Sequence, residues 1–196
     1  MPGKALIVLA HPAERSLSRL FAQTAQDALS GSGHETSLLD LYAEQFDPVL
    51  SSSERAAYYA ATADTAAIAD HAARLAVTET LVLVFPTWWF GMPAILKGWL
   101  DRVFAPGVAL DHASNFGPIK PRLTKLKKVV VITTLGAPAW IDWLVMRRPV
   151  RRILKTAVFG LCAPHAKFVM LSLYAAENPG PKPIESFQAK TVAVLK

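Results

Sequence analysis

Three runs of consecutive apolar residues, Ala5 to Ala10, Leu81 to Phe85 and Val129 to Ile132, show no polar alternation at all. Each is shorter than a stable helix, and a strand with one wet face would alternate, so each reads as a strand buried on both faces. Such strands need helices above and below them, and the chain supplies them. Ser16 to Ser30 places Leu17, Leu20, Phe21, Ala25, Ala28 and Leu29 on one helical face, and Gly31-Ser32-Gly33 ends it. Alanine-rich Thr65 to Val77, then Ala94 to Phe104, Trp140 to Gly160 and Ile184 to Leu195 also read as helices. The strands are predicted at Lys4 to Ala10, Glu35 to Leu41, Thr80 to Phe85, Lys128 to Thr134 and Ala166 to Ser172. Five strands alternating with helices predict an α/β three-layer sandwich with a five-stranded parallel sheet, because right-handed crossovers place helices on both faces.

The 196 residues suit one domain, and a hydrophobic content of 52% can build its core. The single Cys162 excludes an internal disulfide and reads as a small buried hydrophobe. Neither a signal peptide nor an uninterrupted apolar span is evident, which points to a cytoplasmic protein. The net charge of +6 is unevenly distributed: Lys120 to Lys167 holds eleven basic residues and one acid, Asp142. That section carries +10 against −4 for the rest. A solvated basic face, attraction of a phosphorylated nicotinamide cofactor, and an anionic membrane or nucleic acid are the available readings. Nucleic acid is not expected, since no recognisable binding motif accompanies the charge.

Two loops stand out as candidate sites. The third strand runs into Phe85-Pro86-Thr87-Trp88-Trp89-Phe90-Gly91-Met92-Pro93. Ligands of open α/β sheets bind beyond the carboxyl ends of the strands, so these aromatics suit a flat conjugated ligand; the alternative is a hydrophobic plug between helix and sheet. The first strand ends in His11 and leads to a helix start at Ser16. Unpaired N–H groups and the helix dipole there favour an anion, with hydroxyls from Ser16 and Ser18; Ser16 is equally a plain N-cap. Gly-x-Gly-x-x-Gly, Gly-x-x-x-x-Gly-Lys-Ser/Thr and Gly-x-Ser-x-Gly are absent. A receiver-type domain would end its strands in acids, whereas these end in Ala10-His11 and Phe85-Pro86. No metal site is expected: Asp111, His112, His34, His71 and His165 lack ligand spacing. Met92 and Trp99 read as core.

The strand with the Pro86 to Pro93 loop and Ala94 to Phe104 resembles the NAD(P)H:quinone oxidoreductase family, flavoproteins with a flavodoxin-like fold. Ala5 to His11 leading into Pro12 to Ser18 is a second likeness, and Ile132-Thr133-Thr134-Leu135-Gly136 is similar to that family's Thr-Thr-Gly-Gly flavin loop. The likeness fades beyond Gly136. It implies strand order 2-1-3-4-5. It also implies flavin phosphate contacts at His11, Ser16, Leu17 and Ser18. The ring would lie against Pro86, Thr87, Trp88, Trp89 and Phe90 on one side and Thr133, Thr134, Leu135 and Gly136 on the other. Backbone N–H groups of residues 87–90 would bond its polar edge. Similarity to the FAD-binding relatives favours FAD over FMN. The implied chemistry is a ping-pong, two-electron transfer from NADPH or NADH to a quinone or similar flat acceptor, in a homodimer. Three departures stand out: Ser18 replaces a frequent Asn, Leu135 replaces a glycine, and Ala137 to Trp143 lacks the family's Tyr and His. No catalytic side chain is therefore assigned.

The segment Trp140 to Leu161 mixes aromatic and aliphatic residues with Arg147, Arg148, Arg151, Arg152 and Lys155. It reads either as a basic interfacial helix or, because Pro149 interrupts it, as two shorter helices at an oligomer interface. Trp140 and Trp143 would cover the ligand pocket or fill the helix core. Some relatives with this fold are ancillary subunits of potassium-efflux transporters, so a flavin-containing regulator docked on a membrane protein through residues 147–155 is the second functional reading.

Overall fold

The computed structural model of the chain describes residues 3–57, 68–111 and 118–196. Five parallel strands form its sheet: β1 (Lys4–Leu9), β2 (Glu35–Asp40), β3 (Thr80–Pro86), β6 (Lys128–Thr134) and β7 (Lys167–Leu173). Their order is β2-β1-β3-β6-β7, the expected 2-1-3-4-5 arrangement counted over the sheet alone. A separate antiparallel pair, β4 (Leu110–Asp111) and β5 (Lys120–Pro121), lies between α4 (Ala94–Val103) and β6 in the chain.

Alternation along the central strands divides the apolar residues between two cores. Leu6, Val8, Leu81, Leu83, Phe85, Val129 and Val131 face one side. There they meet Ile95, Leu96, Trp99 and Val103 of α4 and Leu75 of α3 (Ala69–Ala76). Ile7, Leu9, Val82, Val84, Val130 and Ile132 face the other side, against Phe21, Ala25 and Leu29 of α1 (Leu17–Gly31) and Phe187 of α7 (Pro181–Leu195). Burial on both faces is the physical reason the three runs contain no polar residue. Trp99 is fully buried, as expected, and its indole Nε1 donates to His71 Nδ1 at 3.1 Å.

The structure departs from the sequence reading in three places. The long helix over 140–160 is broken into a π-turn at Ile141–Val145, α5 (Pro149–Arg152), a π-turn at Ile153–Val158 and α6 (Phe159–Cys162). Pro149 causes the break. It has no N–H, it excludes the right-handed helical region for Arg148, and Arg147 and Arg148 take φ +56° and +53°. A short helix, α2 (Ser52–Ala57), lies between β2 and α3, where no helix was predicted. Its signal is a capping box: Ser51 Oγ accepts from Glu54 N–H at 3.1 Å, and Glu54 Oε2 accepts from Ser51 N–H at 2.8 Å. Trp140 and Trp143, finally, are exposed and fill no core. The helix expected from Thr65 is described from Ala69; its first residues, His112 and Gly117 lie outside the described residues.

Candidate functional site

Because β1, β3 and β6 are neighbours, the loops that leave their carboxyl ends emerge side by side, and all thirteen candidate residues lie at this edge. The neighbouring strands β1 and β3 send their connections in opposite directions, β1 through α1 to β2 and β3 through α4 to β6, with α1 and α4 on opposite faces, which makes their shared edge the topological switch point.

The first loop is tied down at Ala10, whose N–H donates to Val84 O at 3.0 Å. His11 Nδ1 accepts from Ala13 N–H at 3.0 Å, which fixes the neutral tautomer with its proton on Nε2. Burial holds its pKa below the ordinary value, and Arg19 adds to the effect, so the ring is a neutral donor. Ser16 caps α1 by accepting from Arg19 N–H at 3.2 Å. Among the described residues, no acceptor takes the N–H groups of Leu17 and Ser18, and the first turn of α1 holds no acid. Ser18 is buried as a whole residue at the helix start. Sequence reasoning missed Arg19. Its guanidinium pairs with Asp40 Oδ2 at the end of β2, and Asp40 Oδ1 accepts from the N–H groups of Tyr42 and Ala43. The only signal was a basic residue in the first helical turn, and its partner lies 21 positions away.

The aromatic loop is a tight turn closed by reciprocal bonds between Trp88 and Gly91: Trp88 N–H to Gly91 O at 3.1 Å and Gly91 N–H to Trp88 O at 2.9 Å. Its central residues, Trp89 and Phe90, have φ +51° and +55°. That is the sign pattern of a type I′ turn, normally built from Asn and Gly, and each bulky residue there costs about 1–2 kcal/mol. Trp89 is 100% exposed. The hydrophobic-plug alternative therefore fails for Trp89. The four expected backbone donors are also reduced to two. Thr87 N–H is taken by Thr134 O at 2.9 Å, and Trp88 N–H is used within the turn. The N–H groups of Trp89 and Phe90 have no acceptor among the described residues.

Pro86 ends β3 opposite Thr134. The Thr133 side chain is buried and its Oγ1 has no partner among the described residues. Leu135 is buried as well; its N–H donates to Leu173 O, and its carbonyl accepts from Ala176 N–H, both at 2.8 Å. These bonds make the loop part of the sheet edge, a rigidity that suits leucine where a glycine was expected. A Cβ on Gly136 would come within 2.7 Å of the Glu177 carboxylate, so the close approach at this glycine is made by Glu177. Beside it, Trp143 Nε1 donates to Tyr174 Oη and Tyr174 Oη donates to buried Asp142 Oδ2, both at 2.9 Å. Burial and the neighbouring Asp142 carboxylate keep Tyr174 protonated.

A cavity of about 460 Å³ opens between α4 and the 153–162 segment, lined by Met92, Leu100, Phe104, Ile119, Leu161 and Cys162 among others. Met92 thus borders open space as well as the core. Burial raises the Cys162 thiol to about 11, so it remains protonated and inert. Among the described residues, no helix is long and apolar enough to cross a membrane.

The fold agrees with the comparisons. Residues 3–183 match the flavodoxin-like fold family, and the chain belongs to it. It is 34% identical to NAD(P)H dehydrogenase (quinone) 1 of Cavia porcellus over 152 residues, 68% of this chain and 54% of that protein. The chain spans about half the length of the curated relatives it matches. Among solved structures, Smu.1420 from Streptococcus mutans UA159 superposes with a TM-score of 0.83 at 29% identity, covering 98% of each chain. An FMN-dependent NADH-azoreductase from Bacillus anthracis, in complex with FMN, gives 0.75 at 16% identity over 98% of this chain and 97% of that one, a likeness of fold.

Proposed function

We propose that this flavodoxin-like chain, acting as one domain, is a flavin-dependent NAD(P)H:quinone oxidoreductase. The observation that carries the reading is the Trp88–Gly91 turn: two left-handed aromatics at a sheet switch point, holding two N–H donors without protein acceptors. Backbone strain of this kind persists where the surroundings over-determine it, and it gathers at ligand clamps. A flavin bound there supplies a centre that takes hydride from NAD(P)H and passes two electrons to a quinone in a ping-pong cycle. Leu17 and Ser18 N–H, Ser16 Oγ and His11 Nε2–H hold its phosphate. Trp89 and Phe90 N–H bond the polar edge of the ring, and Trp88 and the Thr133 to Gly136 loop wall it.

The likeness to quinone dehydrogenases supports the acceptor class. A homodimer is part of the proposal. FAD remains the proposed form, on the likeness of the loops to those of the FAD-binding relatives; the FMN of the Bacillus anthracis enzyme belongs to that protein.

The test is the anaerobic visible spectrum of the purified protein before and after NADPH, followed by identification of the released chromophore. A flavin spectrum that bleaches with NADPH and returns with quinone is expected, and the released species decides between FAD and FMN. A colourless protein that takes up neither added flavin overturns the proposal.

A further inference from the structure

The segment 140–161 leaves an unusual amount of apolar surface uncovered. Leu144 is 75% exposed, Val145 61%, Trp140 59% and Trp143 54%, and Met146, Ile153 and Leu161 are exposed as well. Arg147, Arg148, Arg151, Arg152 and Lys155 are interleaved with them, and none pairs with a carboxylate among the described residues. The segment's one acid, Asp142, is buried and occupied with Tyr174.

The presentation is rigid. Pro149 and the left-handed pair Arg147 and Arg148 fix the bend; Arg148 N–H donates to Asp142 O at 2.7 Å, and the Arg148 guanidinium lies 4.4 Å from the Trp143 ring centroid. Trp143 is anchored from its other end by Tyr174. The exposed residues are thus held out by their own framework, which lowers the ordering cost of inserting them elsewhere.

We infer that residues 140–155 form a docking surface for an anionic lipid membrane. Exposed tryptophans and aliphatic side chains interleaved in sequence with cations that no carboxylate neutralises are the chemistry of interfacial binding. Each cation near an anionic leaflet attracts it independently, so five on one short segment act together. Charge complementarity selects this occupant over the others. A second copy meeting the patch with the same segment would bring five more cations and no exposed acid to neutralise them. A nucleic acid would stack on the tryptophans but has no use for Leu144, Val145 and Met146.

The same sheet edge carries the Trp88–Gly91 turn, so docking brings the proposed crevice towards a quinone dissolved in lipid. That consequence alone rests on the oxidoreductase reading, whereas vesicle binding is measured without redox chemistry, so either can fail without the other.

The experiment is co-sedimentation of the full chain with phosphatidylcholine vesicles, with and without phosphatidylglycerol, at low and high salt. Binding to the anionic vesicles alone is expected, with a blue shift of tryptophan emission, and with most of it lost as salt screens the charges. Arg151→Gln with Arg152→Gln should weaken binding about thirtyfold. Leu144→Ser with Val145→Ser, at exposed positions that leave the fold intact by circular dichroism, should weaken it at least roughly tenfold. Equal binding to neutral vesicles, or none to either, overturns the inference. So does a self-association that Leu144→Ser abolishes, or tight binding of single-stranded oligonucleotide by a chain that ignores vesicles.

Discussion

At Trp89 and Phe90, local backbone preference and closure of the Trp88–Gly91 turn oppose each other, and the turn wins. Asn tolerates the left-handed region far better than Trp. Trp89→Asn should therefore raise stability by about 1 kcal/mol in denaturant titration, while slowing NADPH-dependent reduction of the proposed flavin. A gain in stability with unchanged turnover would make the strain incidental. His71 presents a different conflict. Burial holds its pKa below 6.5, outweighing the nearby Glu44, and a proton on Nδ1 would remove the acceptor that Trp99 Nε1–H uses. The unfolded chain thus binds that proton more readily. The contribution is complete above 6.5 and is lost progressively as pH falls from there through the lower folded value. Acidification should lower the Tm of the wild type more steeply than that of His71→Gln, which keeps a neutral acceptor; His11 contributes the same sign to both. The sequence displays the residue types of the site but not their bonds. Thr87 looks like a free donor until β6 arrives to accept from it, and Arg19 is silent without Asp40.

Among the elements, α4 is held in register by its closest contact. A Cβ on Gly98 would lie 2.2 Å from Pro48 O and 2.4 Å from Pro48 Cβ, both part of a segment that cannot yield easily. That segment is pinned on either side of Pro48. The Arg102 guanidinium donates to Glu54 Oε1 at 2.8 Å and to Asp47 O at 2.5 Å, and it lies 5.3 Å from the Phe46 ring centroid. Gly98→Ala should consequently cost about 2 kcal/mol despite alanine's better helix propensity, read as a lower denaturation midpoint with an unchanged slope. A neutral or stabilising result would mean that the 46–54 segment shifts freely. Elements with strong periodicity or unbroken apolar runs were legible to within one to three residues: β6 spans the expected Lys128–Thr134, and α1 begins one residue after its cap. In the 140–160 region the apolar residues keep helical spacing and Pro149 marks the interruption, whereas the π-turns at Ile141–Val145 and Ile153–Val158 leave no mark in the pattern. There a single backbone constraint outranked the pattern.

Over the whole molecule, the doubly covered sheet was readable because burial on both faces erases alternation, and erased alternation is visible in the chain itself. The order in which the strands lie was not visible in any periodicity; it followed from the resemblance. That order places β1 between β2 and β3, in register with both: Val8 faces Leu39 on one side and Leu83 on the other. During translation, β1 and β2 leave the ribosome long before β3 has been made. One flank of β1, its backbone groups unmatched and its side chains uniformly greasy, must wait through some forty residues of further synthesis for its partner. For the nascent chain, a fully paired inner strand of the finished sheet is the one longest at risk of pairing with a stranger.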